Sequence, residues 1–151
     1  ARPGRALIPP DPDAALDVRL WDRLFDLYVM TPMQACTADL LRPEDDRDAL
    51  GAAQARERLS SAYSFIDRHF EGRTWASGGA FSMADCAAAP ALFYAVTYVP
   101  LTPQHLHLGA YFERLMARPS VAQTIAEARP WFKYYPGRAG LSQRFFDPTT
   151  I

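Results

Sequence analysis

A chain of 151 residues that is 49% hydrophobic and 22% charged carries enough apolar material for one buried core, and its composition excludes a disordered or fibrous architecture. Sixteen basic against seventeen acidic side chains leave a formal charge of -1, so there is no positive field to hold phosphates, and no nucleic-acid partner is expected. Cys36 and Cys86 stand outside any Cys-x-x-C or zinc spacing, which predicts two reduced, mostly buried thiols.

Residues 1–12, ARPGRALIPPDP, hold four prolines and read as an extended linker. No basic segment followed by an apolar stretch opens the chain, so a cytoplasmic setting is expected. A helix is predicted from Asp13, with Leu16, Leu20, Leu24, Leu27 and Tyr28 spaced by threes and fours. Trp21, Phe25, Val29 and Met33 add a second stripe, so this helix has two faces to cover. Pro32 is expected to kink it or to end its first half, because the ring collides with the preceding turn and removes a donor. Pro43 followed by three acids predicts the start of a second helix. Ala55, Leu59, Ala62, Tyr63, Ile66 and Phe70 form its inward stripe, and Gly72 stops it. His69 in its last turn reads as a partner of the helix dipole.

The turn TWASGGA leads into Phe81-Ser82-Met83-Ala84-Asp85, which opens a third helix. Ser82 can accept from the backbone N–H of Asp85 while the Asp85 carboxylate reaches back to the N–H of Ser82, a capping box with Asp in place of Glu. Phe81 and Cys86 occupy the positions of a hydrophobic staple. Loss of either capping side chain predicts a cost of about 1–2 kcal/mol. The helix that follows is apolar on nearly every side and is read as buried all round. The uncharged stretch from Cys86 to Phe112 is interrupted by Pro90, Pro100, Pro103 and two histidines, whereas a membrane span wants roughly 20 uninterrupted apolar residues; no membrane partner is expected.

Pro103 predicts a fourth helix with Leu108, Tyr111, Phe112 and Leu115 inward, and Pro119 a short fifth with Val121, Ile125 and Ala128 inward, closed by Pro130. The aromatic-rich tail from Trp131 is expected to lie across the domain. His105 and His107 fall on different sides of a helix, so no metal site is predicted. Neither cysteine has an evident base or cationic neighbour in sequence, and no catalytic residue is assigned. The fold class is therefore all-α, a bundle of about five helices, divided into a linker (1–12), a helical domain (13–136) and a packed tail (137–151).

An apolar helix introduced by Phe-Ser-Met-Ala-Asp, preceded by a Trp-containing turn and followed by a helix ending in Ala-Arg-Pro-Ser-Val, resembles the C-terminal domain of soluble glutathione transferases. The resemblance covers nearly the whole chain: LDVRLWDRLFDLYVMTPM is similar to that family's first C-terminal helix, and PGRALIPPDP to the linker entering it. It implies a glutathione thiolate attacking a small hydrophobic electrophile in a cytoplasmic detoxification enzyme, with glutathione as co-substrate bound mainly by an N-terminal thioredoxin-like domain that this chain lacks. The present chain alone is then expected to be inactive. The helical domain would supply the apolar wall and homodimer contacts. Tyr28, Thr31 and Ala35 share a face by spacing and are expected to look toward the partner domain, with Trp131 and Phe132 joining from the tail. The same domain also serves relatives as a non-enzymatic interaction module, and fold similarity leaves that alternative open.

Overall fold

Asp11 accepts a hydrogen bond from the backbone N–H of Ala14 at 2.9 Å and so caps α1 (Pro12–Leu24), whose first position is the proline that needs no donor there. The structure, a computed structural model, describes residues 6–146. Pro32 does not end the helix. The six residues Phe25–Met30 widen into a π turn, and the rod continues as α2 (Thr31–Leu40). The Thr31 N–H reaches back five residues to the carbonyl of Asp26, and the Thr31 hydroxyl donates to the same oxygen at 3.0 Å. The wider turn makes room for the pyrrolidine ring, which is how the rod avoids the break expected of a mid-helix proline.

Along this rod Ala15, Val18, Trp21, Phe25, Val29, Met33 and Cys36 are buried. Leu16, Leu20, Leu27 and Tyr28 stay 53–65% exposed, so one of the two apolar faces is open.

The second helix starts later than its proline. Glu44–Asp46 form an isolated 3-10 turn, and α3 (Ala49–His69) begins after Asp48, whose carboxylate accepts from the Gly51 N–H at 2.8 Å. The Asp48 N–H is itself held by Asp39 at 2.7 Å, which fixes the non-helical approach and keeps the acidic run out of the helix. The central helix α4 (Met83–Ala95) packs against α1, the π turn and α5 (Leu106–Ala117), which starts three residues after Pro103. The cost of that delay is met by Asp67, which accepts from the free Leu108 N–H at 2.8 Å. A last helix, α6 (Pro119–Ala128), runs on from α5. Counting α1, the π turn and α2 as one rod, five helical rods and no strand are found among the described residues.

The α4 cap is deeper than a local box. Ser82 and Asp85 form the box, and both are buried. One Asp85 oxygen accepts from the Ser82 N–H at 2.8 Å and from its hydroxyl at 2.9 Å. The other accepts from the Ala76 N–H at 2.9 Å and the Tyr111 hydroxyl at 2.7 Å. Four donors thus compensate a fully buried carboxylate.

Beyond α6 the chain makes short 3-10 turns that bury Phe132, Leu141 and Phe145. The Tyr135 and Thr97 hydroxyls, 2.9 Å apart, tie this segment to the end of the bundle, where the Tyr98 and Thr37 hydroxyls stand 2.7 Å apart.

Candidate functional site

Among the described residues, two grooves stand out on the surface. The first, about 960 Å³, runs between the rod and α3 and is lined by Leu24, Leu27, Tyr28, Thr31 and Pro32 on one side and by Gln54, Arg58, Ser61 and Phe65 on the other. It exists because the π turn exposes Leu27 and Tyr28 together, while small residues at Ser61 and Ala62 leave α3 thin opposite them.

The second groove, about 500 Å³ and more apolar, lies between α4 and α6. Its floor is the α4 stripe Cys86, Ala89, Pro90 and Phe93, and Val121 and Ile125 form its wall. Leu7 of the linker lines it as well, and the Leu7 carbonyl accepts from the Met83 N–H at 2.9 Å. The Arg118 guanidinium lies over the Phe81 ring at 3.6 Å on the same rim, a cation–π contact that holds the charge beside apolar carbon.

The residues singled out from sequence do not converge on one of these grooves. Tyr28 and Thr31 line the first; Ala35 is exposed and stands outside it. The π turn contains more residues per turn than the α-helix, so positions beyond it rotate away from the face that a 3.6-residue count assigns them. Trp131 is 68% exposed and outside both grooves. Phe132, its neighbour, is 2% exposed, packs 5.7 Å from Phe93 and 5.8 Å from Phe146, and touches the second groove. Phe65, Gln54, Arg58 and Leu7 were not foreseen. Phe65 carried a signal, an aromatic just off the inward stripe of α3, whereas Leu7 could be placed only by the fold.

Cys86 corrects the expectation of a buried thiol: with Pro90 it forms the open stripe of α4, so that helix is not covered all round. Partial burial, and secondarily the charge of Asp85, push its thiol above the usual range. Burial does the same for Cys36. Neither is an ionised nucleophile, and among the described residues no cluster of metal-ligating side chains occurs.

His69 is not simply a helix-dipole partner. Its ring stacks on Trp21 with centroids 3.5 Å apart and its Nε2–H donates to the Ala76 carbonyl at 2.7 Å. Burial lowers its pKa from the ordinary 6.5; Arg73 lowers it further, against the Ala76 bond and Asp17, which raise it. A depressed pKa means that the unfolded chain binds the proton more readily. The neutral ring's contribution to stability is therefore present above pH 6.5 and is lost as pH falls from there through the folded value. The melting temperature of the parent is expected to drop, relative to His69→Gln, as pH is lowered below 6.5. Parallel melting curves for the two proteins across that range would refute this.

Residues 28–119 match the family model for the glutathione S-transferase C-terminal domain. A glutathione S-transferase from Methylobacterium radiotolerans, solved with glutathione sulfonate, is 30% identical over 80% of this chain and 58% of its own, with a TM-score of 0.66. One from Methylobacillus flagellatus with glutathione bound is 29% identical over 78% of this chain and 59% of its own, with a TM-score of 0.69. A glutathione transferase from Phanerochaete chrysosporium with oxidized glutathione shares the fold at a TM-score of 0.74 and 14% identity, covering 85% of this chain and 59% of its own. No curated protein sequence matches the chain. The chain spans about six-tenths of the length of these solved relatives.

Proposed function

The chain belongs to the glutathione S-transferase family, as its C-terminal helical domain, and from that premise we propose that it forms the electrophile-binding half of a cytoplasmic glutathione transferase whose glutathione-binding, thioredoxin-like domain is joined through the linker. The observation that carries this reading is the second groove. Leu7 lines it and is pinned there through its carbonyl, so a domain attached ahead of the linker is delivered to the open Cys86–Pro90 stripe of α4. Burying that stripe would remove apolar surface from water at about 25 cal/mol per Å².

In the reaction proposed, a glutathione thiolate attacks an electrophilic carbon. The new S–C bond forms as the leaving group departs with its electron pair, or as a conjugated double bond takes up the proton. The thiol must first be ionised, which a hydrogen-bond donor of the partner domain would favour. The helical domain contributes an apolar wall. Tyr28 and Thr31 offer a hydroxyl-bearing one, in a groove whose volume of about 960 Å³ falls within the usual range for small-molecule sites. Leu16 and Leu20, exposed on the same rod, offer the contact for a homodimer.

Calorimetry of this chain with glutathione is expected to show no binding, because the peptide-binding site is assigned to the partner domain; saturable heat at millimolar glutathione or below would contradict that assignment. Sedimentation of the chain is expected to show a concentration-dependent dimer that Leu20→Glu abolishes. A parent that stays monomeric at high concentration would remove the homodimer from the proposal.

A further inference from the structure

The tail carries a surface that the transferase reading leaves unused. In the 3-10 turn Arg129–Tyr134, Phe132 turns inward and is 2% exposed, while Trp131 and Tyr134 turn outward and are 68% and 67% exposed. Their rings stand 6.3 Å apart, touching each other rather than the core. One cation lies against the pair and a second is tied to the same turn. The Lys133 ammonium sits 5.0 Å from the centre of the Tyr134 ring, and the Arg138 guanidinium donates to the Lys133 carbonyl at 2.6 Å. Among the described residues neither Lys133 nor Arg138 has a carboxylate within ion-pair distance, whereas Arg144 is taken up by Glu113 at 2.7 Å. Residues 128–146 include Arg129, Lys133, Arg138 and Arg144 and no Asp or Glu, although the whole chain is slightly acidic.

An indole and a phenol held in water beside cations that have no carboxylate partner among the described residues match the headgroup layer of an anionic bilayer. Amphipathic rings settle at that depth, and Lys and Arg meet the phosphates above it. A rigid mount matters, since a turn anchored by Phe132 presents both rings without first being ordered. We propose that this turn docks the domain peripherally on anionic phospholipid surfaces, with Trp131 and Tyr134 entering the headgroup layer and Lys133 and Arg138 pairing with lipid phosphates. No spanning segment is needed, and among the described residues no helix is long and apolar enough to cross a membrane. The proposal stands independently of the transferase reading.

The test is co-sedimentation of the chain with vesicles of phosphatidylcholine alone and of phosphatidylcholine mixed equally with phosphatidylglycerol. Binding is expected only to the second, weakening as salt is raised. Lys133→Gln combined with Arg138→Gln is expected to reduce partitioning about 25-fold, taking about fivefold for each cation. Trp131→Ser combined with Tyr134→Ser is expected to reduce it at least as much. All four side chains are exposed, so both variants should melt with the parent. No binding to anionic vesicles, equal binding to neutral ones, or undiminished binding by both variants would overturn the proposal, the last outcome moving the contact to the exposed leucines of α1. Capture by an immobilised acidic peptide without vesicle binding would overturn it in favour of a protein partner.

Discussion

Replacing Asp85 with alanine is expected to lower the melting temperature by about 10 °C, corresponding to roughly 3–5 kcal/mol in a domain of this size. The carboxylate is the single acceptor for four donors from three parts of the chain: the Ser82 N–H and hydroxyl, the Ala76 N–H in the loop before α4, and the Tyr111 hydroxyl in α5. Its removal leaves two backbone amides and two hydroxyls without a partner in a site closed to water, each such group costing about 1–3 kcal/mol before relaxation. Ser82→Ala removes only part of the cap and is expected to cost about 1–2 kcal/mol. The ordering of the two variants in thermal melts is the critical result. Equal losses would mean that the Ala76 and Tyr111 bonds contribute nothing and that Asp85 is only a local cap.

Gly140→Ala is expected to free the tail from the bundle. A methyl group at that position would overlap the Thr97 carbonyl oxygen and lie 2.8 Å from its carbon, both backbone atoms that cannot swing aside. The turn must therefore back away, which breaks the register that lets Tyr135 bond Thr97 and keeps Leu141 and Phe145 covered. Overpacking of this kind costs about 1–3 kcal/mol. Limited proteolysis should then cut the variant between α6 and residue 146 well before the parent. The same substitution at Gly109 in α5, where nothing lies within 4 Å, serves as the control and should leave the digestion pattern unchanged. Identical digestion of Gly140→Ala and the parent would show that the tail tolerates the displacement.

The helices and their inward stripes were legible because apolar spacing reports directly on burial: the α3 stripe from Ala55 to Ile66 and the α5 stripe from Leu108 to Leu115 are buried. The capping box was legible because both partners are local in sequence. Its two further bonds were not, since Ala76 donates through a backbone amide that every residue possesses and Tyr111 arrives from 26 residues away. Helix starts shifted for a related reason. Pro43 and Pro103 are permissive, and Asp48, Asp39 and Asp67 decide the boundary by supplying the acceptor each start lacks. The site was the least legible part. Grooves arise where two elements fail to cover each other, and that gap depends on the packing of α3 against the rod and of α6 against α4.

The π turn has a consequence for inheritance and engineering alike. A rod with one residue more than a regular helix requires carries a phase step in its middle, so the faces upstream and downstream of Phe25–Met30 are set independently. Deleting a single residue within the step would let the rod wind as a regular α-helix while both halves keep their faces, because the wide turn stores one helical position, about 100° of winding. Trp21 and Cys36 would still face the core, but the room that the wide turn gives the Pro32 ring would be gone, so the deletion should cost the roughly 3 kcal/mol of an unrelieved mid-helix proline.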